Sequence, residues 1–186
     1  MLRFIPLFVG LTVTGCASIQ LDTTGATLAT IEKLRAANLS PTQVGSFKLA
    51  SGKDSTMDTT LGGLRGNKLE PAKGNWSQLL KDTLITELTA AGLYEPTSHF
   101  VIEGQLTDSK VDAAIVTGTA RLAARFTVMN NGQVAYDKEL VADASWESSF
   151  LGAIAIPMAM DQYGALYKKL VASLIDDPDF QRALAR

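Results

Sequence analysis

Apolar residues recur at helical intervals in the first half of the chain and predict two helices with strands between them. The clearer helix is expected over residues 75–92, where Asn75 can cap the first turn and Gly92 can end the last. Its apolar face should point into the core, and the polar residues should point away from it. The expected inward residues are Trp76, Leu80, Leu84, Leu88 and Ala91, and the expected outward residues are Lys81, Asp82, Thr86 and Glu87.

Shorter elements are expected on the amino-terminal side of this helix. A helix is predicted over residues 26–41, with Leu28, Ile31 and Leu34 turned inward. A first strand is predicted over residues 43–50, and a second, weakened by glycines, over residues 59–65.

The period changes to two from residue 99 onward, which predicts antiparallel strands. Segments 99–111, 117–129 and 133–148 alternate in this way, and Asn130–Gly132 is a strong signal for the hairpin turn between the last two. A bulge is expected at Gly104. The buried face of the middle strand should consist of Leu122, Ala124, Phe126 and Val128.

The other face of the middle strand carries Arg121 and Arg125. Such an alternation is typical of a sheet with one covered face and one wet face, so the two arginines are expected in solvent. Their expected partners across the strand pair are Asp137, Glu139 and Asp143.

An uncharged segment follows the last strand. Residues 150–160 carry no charge, and they are fewer than the roughly 20 residues that a membrane-spanning helix needs. Pro157 is expected at the first position of a helix over residues 158–175, because proline is favoured there. Its inward residues should be Met160, Tyr163, Tyr167, Leu170, Val171 and Leu174. A small capping helix is expected to begin at Asp177 or Pro178.

These elements predict an α+β fold. The expected architecture is a two-layer sandwich, with a mostly antiparallel sheet of about four or five strands packed by two main helices and short terminal helices. The chain shows no internal repeat or low-complexity linker, so residues 26–186 are expected to form a single domain.

The first 15 residues have the pattern of a signal peptide. A short positive start precedes the apolar stretch 4–13, which has the length of a signal-peptide core. The sequence Val13-Thr14-Gly15-Cys16 that follows resembles the lipobox of bacterial lipoproteins. The resemblance implies cleavage before Cys16 and lipidation of its sulfur, with residues 16–25 serving as a short polar tether to a periplasmic domain.

The resemblance also implies a location. Lipoproteins of this kind carry two or three acyl chains on the cysteine, and stable attachment to a membrane needs at least two. Residue Ala17, which is not aspartate, favours the outer membrane in the family's sorting logic. The alternatives are an ordinary secretory leader that contains a cysteine and a buried amino-terminal strand.

Composition excludes several functional classes. The 186 residues carry a net charge of −2 and give no basic footprint for a nucleic acid. One cysteine and one histidine, His99, exclude a disulfide scaffold and a zinc module, and no cofactor is expected. No nucleophile–base motif or phosphate loop is present, which favours a protein that is not an enzyme.

The unusual segment is Trp146–Pro157, where large apolar residues flank small ones. It can cover the edge of the sheet, pack beneath the last helix, or form an exposed apolar lip that contacts a partner protein or a lipid chain. The residues expected to make that contact are Trp146, Phe150, Leu151, Ile154 and Ile156.

The mature chain resembles a set of uncharacterised proteobacterial lipoproteins in the stretches 46–59, 137–157 and 162–184. Its order of elements is also similar to that of YajG-type lipoproteins, the lipopolysaccharide-assembly lipoprotein and the auxiliary lipoproteins of ABC-type transporters. The expected function is non-catalytic binding or scaffolding in envelope assembly or transport, with an envelope protein as partner. Two alternatives are a lipid-handling auxiliary subunit of an ABC-type transporter and an enzyme of unrecognised chemistry.

Overall fold

The computed structural model describes residues 18–22 and 25–186, and the predicted signal peptide and Cys16 lie outside them. The helices are α1 (Leu28–Ala36), α2 (Trp76–Ala91), α3 (Gly152–Asp176) and α4 (Pro178–Leu184). The strands are β1 (Ser18–Leu21), β2 (Gln43–Leu49), β3 (Leu61–Leu64), β4 (Asn67–Pro71), β5 (Phe100–Asp112), β6 (Val116–Asn130) and β7 (Gln133–Ser148). The predicted α+β class is confirmed.

The main sheet has the strand order β2-β5-β6-β7. Strands β5, β6 and β7 are antiparallel neighbours, and β2 lies parallel to β5 at the edge. The predicted hairpin turn is confirmed: Asn131 and Gly132 have φ angles of 49° and 79°, which suit these two residue types. Helix α2 packs on the β2–β5 half of the sheet and α3 on the β6–β7 half.

The residues beneath these helices are those that the alternation predicted. The buried residues of β6 include Leu122, Ala124, Phe126 and Val128. From α2 the core receives Trp76, Leu80, Leu84 and Leu88, with Asn75 capping the helix and Gly92 ending it as predicted. Trp76 is fully buried, and its ring meets that of Tyr163 of α3 edge-on, with the centroids 5.3 Å apart.

The other face of the main sheet is wet, as predicted. Arg121 Nη1 lies 2.9 Å from Asp143 Oδ1, and Arg125 Nε lies 2.6 Å from Asp137 Oδ1. Glu139 lies directly opposite Arg125 across the strand pair, as expected, and also accepts a hydrogen bond from the Thr107 hydroxyl. Exposed ion pairs contribute about 0–1 kcal/mol each, so the pairs on this face add little to the stability of the fold.

A second sheet, with the order β1-β4-β3, corrects the predicted tether. Residues 18–21 of the segment 16–25 form β1, which runs parallel to β4 with Ser18 opposite Lys68. The strand forms because Ile19 and Leu21 pack against the hydrophobic core and because the Leu21 carbonyl accepts a hydrogen bond from Ala72 N at 2.7 Å. Four residues are too few to show the alternation of apolar and polar positions by which a strand is recognised in a sequence.

The glycine-rich segment forms a hairpin of β3 and β4, of which the sequence predicted only the first strand. The register of β5 with β6 shifts between Leu106 and Asp108 and not at Gly104, whereas opposite Gly104 the irregularity lies in β2, between Val44 and Phe47. Gly104 is needed for another reason: a Cβ atom there would lie 2.4 Å from Cε1 of Phe47. The phenyl ring of Phe47 occupies the space that any larger residue would need.

Helix α1 is shorter than predicted and presents a different face. Thr30 and Leu34 are buried, whereas Leu28 is 70% exposed. At 3.6 residues per turn, Leu28 is about 200° from Thr30 around the helix axis, so it cannot share the inward face.

The prediction for Glu87 is wrong in a way that reveals how α1 begins. Glu87 is 1% exposed, and its carboxylate accepts hydrogen bonds from the Thr27 amide at 3.0 and 3.1 Å. Thr27 is the N-cap of α1 and makes no capping bond with its own side chain. A negative group at the amino end of a helix is stabilising, so α2 supplies the cap that α1 lacks.

The prediction for Pro157 is also wrong, because α3 begins at Gly152 and Pro157 lies inside it. The first turn closes when the Leu151 carbonyl accepts from the amides of Ile154 and Ala155, both at 3.0 Å. Proline removes one helical hydrogen bond, that to the Ala153 carbonyl. Ala153 and Pro157 are both exposed, so water can satisfy this carbonyl, and the complete burial of Ala155 and Ala159 holds the helix in place.

The remainder of α3 and the capping helix follow the prediction. Tyr163, Tyr167, Leu170, Val171 and Leu174 are buried, and Met160 is partly buried. Asp177 caps α4 by accepting from the Asp179 amide. Within residues 18–22 and 25–186, none of the helices combines the length and the apolarity needed for a membrane span.

The role of Glu87 can be tested by unfolding. Glu87→Gln should lower the free energy of unfolding by about 1–3 kcal/mol, because a charge-assisted acceptor at a buried helix end is weakened. The control is Glu32→Gln on the exposed side of α1, which should change the free energy of unfolding by less than about 0.5 kcal/mol. Urea titration followed by circular dichroism measures both, and equal values for the two variants would contradict the capping role.

Candidate functional site

Exposed large apolar side chains are concentrated at one end of the fold. Five of them lie in or next to two connections, the β5–β6 turn and the junction of β7 with α3. We call these five residues the apolar end: Ile115, Val116, Phe150, Leu151 and Ile154, with exposed fractions of 65, 70, 74, 48 and 50%. Scattered apolar residues are normal on a surface, but a contiguous group indicates a contact site.

The pairing of β6 with β7 brings the two connections together. Val116, the first residue of β6, lies opposite Ser148, the last residue of β7. The β5–β6 turn therefore lies beside the first turn of α3, although about 35 residues separate them in sequence.

Arg65, which lies in the β3–β4 turn, donates hydrogen bonds to both connections. Its Nε donates to the Ala113 carbonyl at 2.8 Å, and its Nη1 donates to the Phe150 carbonyl at 2.7 Å. Its Nη2 donates to the Ser149 carbonyl at 2.5 Å. A planar guanidinium with five donors suits this task, since a lysine could not reach three carbonyls in a fixed geometry.

Close backbone approach locks β3 beside β5 at the same end. The Ala113 amide donates to the Gly63 carbonyl at 2.8 Å. Gly63 has a φ of 82°, and a Cβ atom there would lie 2.0 Å from the Val111 carbonyl oxygen. Only glycine fits this position, so the apolar end is carried by a rigid part of the fold.

The five residues that the sequence singled out do not all lie on the surface. Phe150, Leu151 and Ile154 are exposed together, whereas Trp146 and Ile156 are partly buried and pack against the core. Trp146 covers Gly118 of the neighbouring strand, where a Cβ atom would lie 2.3 Å from the indole ring.

Sequence reasoning missed Ile115 and Val116. Two β-branched apolar residues in the connection between two predicted strands were the available signal, because a hairpin turn is normally polar and exposed.

A cleft of about 720 Å³ lies on the strands that lead to the apolar end. Its lining residues are Gly63, Lys110, Val111, Asp112, Thr119, Ala120, Arg121, Asp143, Ala144 and Ser145. Small residues leave the space open, and acidic and basic side chains are mixed around it. None of the five residues of the apolar end lines the cleft.

The buried ionisable groups have structural partners. Asp58 accepts from the Ser77 amide at 2.7 Å and the Ser77 hydroxyl at 2.9 Å at the start of α2, and burial raises the pKa of this carboxyl. Ser109 Oγ, Tyr163 OH and Tyr167 OH form a chain with distances of 2.6 and 2.9 Å. Burial raises the pKa of both tyrosines, so they stay protonated.

The single histidine does not assemble a site. His99 is exposed, and its ring lies 4.3 Å from that of Phe100, measured between centroids. Among the residues that the structure describes, no group of three His, Cys, Asp or Glu side chains is placed to hold a metal ion.

Comparison with solved structures relates the fold to a protein family of bacteria. The chain is similar in fold to a Xanthomonas campestris protein of the DUF330 family, with a TM-score of 0.58 and 12% identity over 88% of this chain and 96% of that one. In sequence, the chain matches no protein-family model and no curated protein.

Two further structures are described as lipoproteins. A candidate lipoprotein of Caulobacter crescentus CB15 has a TM-score of 0.47 and 10% identity over 83% of this chain and 93% of that one. A minor lipoprotein of Acinetobacter baumannii has a TM-score of 0.44 and 11% identity over 79% of this chain and 97% of that one. The likeness to these two is too weak to support a comparison of folds.

The role of Arg65 in holding the two connections can be tested by hydrogen exchange. Arg65→Ala removes three hydrogen bonds from a charged donor, each worth about 1.5–3 kcal/mol. Amide exchange should therefore rise at least tenfold, which corresponds to about 1.4 kcal/mol, in the β5–β6 turn and at the start of α3.

The matched control is Arg35→Ala. Arg35 also donates to a carbonyl, that of Ala90 at 2.9 Å, but it lies on α1 away from the apolar end. Unchanged exchange in the Arg65 variant, or equal changes in both variants, would contradict the role of Arg65.

Proposed function

We propose that this chain is a lipid-anchored lipoprotein on the periplasmic face of the outer membrane, and that it acts by binding rather than by catalysis. In this proposal it is a binding or scaffolding accessory in envelope assembly or transport. The observation that carries the proposal is the apolar end, because a surface of five large hydrophobic side chains has a cost in water unless something covers it.

The construction of the apolar end supports a binding role. Exposed apolar residues on a mobile loop could fold back onto the protein, but these residues sit on connections that Arg65 and Gly63 hold in place. A rigid surface loses little conformational freedom when it binds, which favours association.

The polar groups favour binding over catalysis. Catalysis needs an accessible acid, base or nucleophile with a partner that adjusts its pKa. Burial raises the pKa of Asp58, Tyr163 and Tyr167, and all three are hydrogen-bonded to protein groups away from solvent. Two of the exposed cations that line the cleft are engaged in ion pairs, Arg121 with Asp143 and Lys110 with Asp108.

The proposed anchor is Cys16, in the lipobox-like sequence Val13-Thr14-Gly15-Cys16. Two or three acyl chains on this sulfur would give stable attachment. The fold likeness to a bacterial DUF330 protein fits a bacterial origin, and Ala17 supports the outer membrane as the destination.

The anchor is tested by metabolic labelling of the full chain. Cys16→Ser should abolish incorporation of labelled palmitate and leave an uncleaved precursor, because a hydroxyl cannot form the thioether that precedes cleavage. The matched control is Ala17→Asp, which should keep the label but move the protein to the inner-membrane fraction. Normal processing of the Cys16→Ser variant would overturn the proposal.

A second candidate function is lipid handling as an auxiliary subunit of an ABC-type transporter, which the cleft favours. Its volume of about 720 Å³ lies in the range of roughly 300–1,000 Å³ that is usual for ligand pockets. Val111, Ala120 and Ala144 give it apolar walls.

Filling the cleft tests this second function. Ser145→Trp places an indole in the cleft and should remove any lipid that copurifies with the protein, as measured by mass spectrometry of the intact complex. Val134→Trp, at an exposed site beside the β6–β7 turn, is the control and should leave the lipid bound. Absence of copurifying lipid from the unchanged protein would count against lipid handling.

A further inference from the structure

Strand β1 begins on the side of the domain that carries the apolar end. The β3–β4 turn at Arg65 and Gly66 touches the apolar end, and β4 runs away from that turn. Strand β1 is parallel to β4, with Ser18 opposite Lys68. The chain therefore enters β1 from the side of Arg65 and of the apolar end.

Very little chain separates the anchor from this strand. Ala17 is the single residue between Cys16 and Ser18. Two residues of chain span at most about 7 Å, so an acyl group on Cys16 would be held close to the start of β1.

Strand β1 is fixed to the rest of the domain by hydrogen bonds and side-chain packing. The Ser18 hydroxyl donates to Glu70 Oε2 at 2.7 Å, and the Leu21 carbonyl accepts from Ala72 N. The Leu21 side chain lies against Gly164 of α3, where a Cβ atom would be 3.3 Å from Leu21 Cδ1. Strand β1 thus fixes the first described residues to both the small sheet and the last long helix.

From these three observations we propose that the apolar end rests in the bilayer that holds the Cys16 acyl chains. The partner of Ile115, Val116, Phe150, Leu151 and Ile154 is then lipid, at the level of the headgroups and upper acyl chains. The proposal rests on the acylation of Cys16, and it makes the apolar end a second attachment that orients the domain.

The charges beside the apolar end give lipid no net electrostatic attraction. Asp112 and Glu147 lie at the strand ends around it, and the cations Lys68 and Arg65 balance their charge. The contact therefore depends on the burial of apolar surface, and it should persist when salt screens charges.

This attachment would set the orientation of the whole protein. The first residue of β6 belongs to the apolar end, and its 15 residues extend about 50 Å to the β6–β7 turn. The long strands would thus stand away from the membrane, and the turn at Asn131 and Gly132 would project into the periplasm. The cleft would open close to the membrane surface.

Nitroxide labels can measure this contact in the acylated protein. The full chain is expressed with its leader, purified from membranes and reconstituted in vesicles of phosphatidylethanolamine and phosphatidylglycerol. Because the sulfur of the single cysteine is acylated, a cysteine introduced by Leu151→Cys or Ile115→Cys is the sole free thiol for labelling. Val134→Cys is the control at the opposite end of the strands.

The expected result is a difference in accessibility. Labels at Leu151 and Ile115 should collide with oxygen, which dissolves in lipid, and be shielded from a water-soluble nickel chelate. Their oxygen-to-nickel ratio should be several-fold higher than that of the label at Val134, in low and in high salt. Ratios equal to that at Val134 in acylated, vesicle-bound protein would overturn the inference and leave the proposed anchor standing.

Other outcomes identify other occupants. Shielding from both oxygen and nickel that disappears on dilution in the vesicles would show that a second copy covers the apolar end, which also overturns the inference. Protein that carries no acyl chains by mass spectrometry and does not float with the vesicles would overturn the proposed anchor, and the inference with it.

A double substitution separates surface contact from anchoring. In the protein labelled at Ile115, Phe150→Ser with Ile154→Ser should increase access of nickel several-fold while the acyl chains remain. The matched control, Val134→Ser with Val141→Ser, removes two exposed side chains of β7 and should leave access unchanged. Circular dichroism verifies that both variants are folded. If either variant is unfolded, the comparison of the labels at Leu151 and Ile115 with the label at Val134 still tests the inference.

Discussion

Burial of one face of the main sheet beneath α2 and α3 determines where the rest of the molecule lies. Each helix covers half of the sheet, and they meet where the ring of Trp76 packs edge-on against Tyr163. Full burial of a large aromatic side chain contributes several times the energy of an exposed ion pair, about 1.5–3 kcal/mol against 0–1. The opposite face of the sheet consequently keeps its charges in water, paired across the strands.

The lengths of the strands then decide where an apolar surface can remain. Strands β5, β6 and β7 have 13, 15 and 16 residues, and their connections at one end come together with the β3–β4 turn. At this end the connections are held together by Arg65 and not by core packing, because one guanidinium donates to carbonyls of both connections. The apolar side chains of these connections are left pointing outward on a rigid base.

The small sheet connects this surface to the amino terminus. Strand β1 adds few contacts to the core, yet its pairing with β4 places the entry of the chain beside the β3–β4 turn. A ten-residue tether would have let the domain turn freely with respect to an anchor at Cys16. With β1 formed, the described chain begins beside the β3–β4 turn and the apolar end, which connects the proposed location of the protein with its proposed mode of binding.

The sequence by itself determined the α+β class, the caps of α2, the β6–β7 turn and the buried face of β6, because each depends on neighbours a few residues away. It also supplied the lipobox-like pattern and singled out Phe150, Leu151 and Ile154. Tertiary structure alone decided the burial of Glu87, the continuation of α3 through Pro157 and the pairing of β1 with β4. It also joined Ile115 and Val116 to the apolar end. In each of these cases a distant partner supplies the stabilising contact, and no local pattern of residues records such a partner.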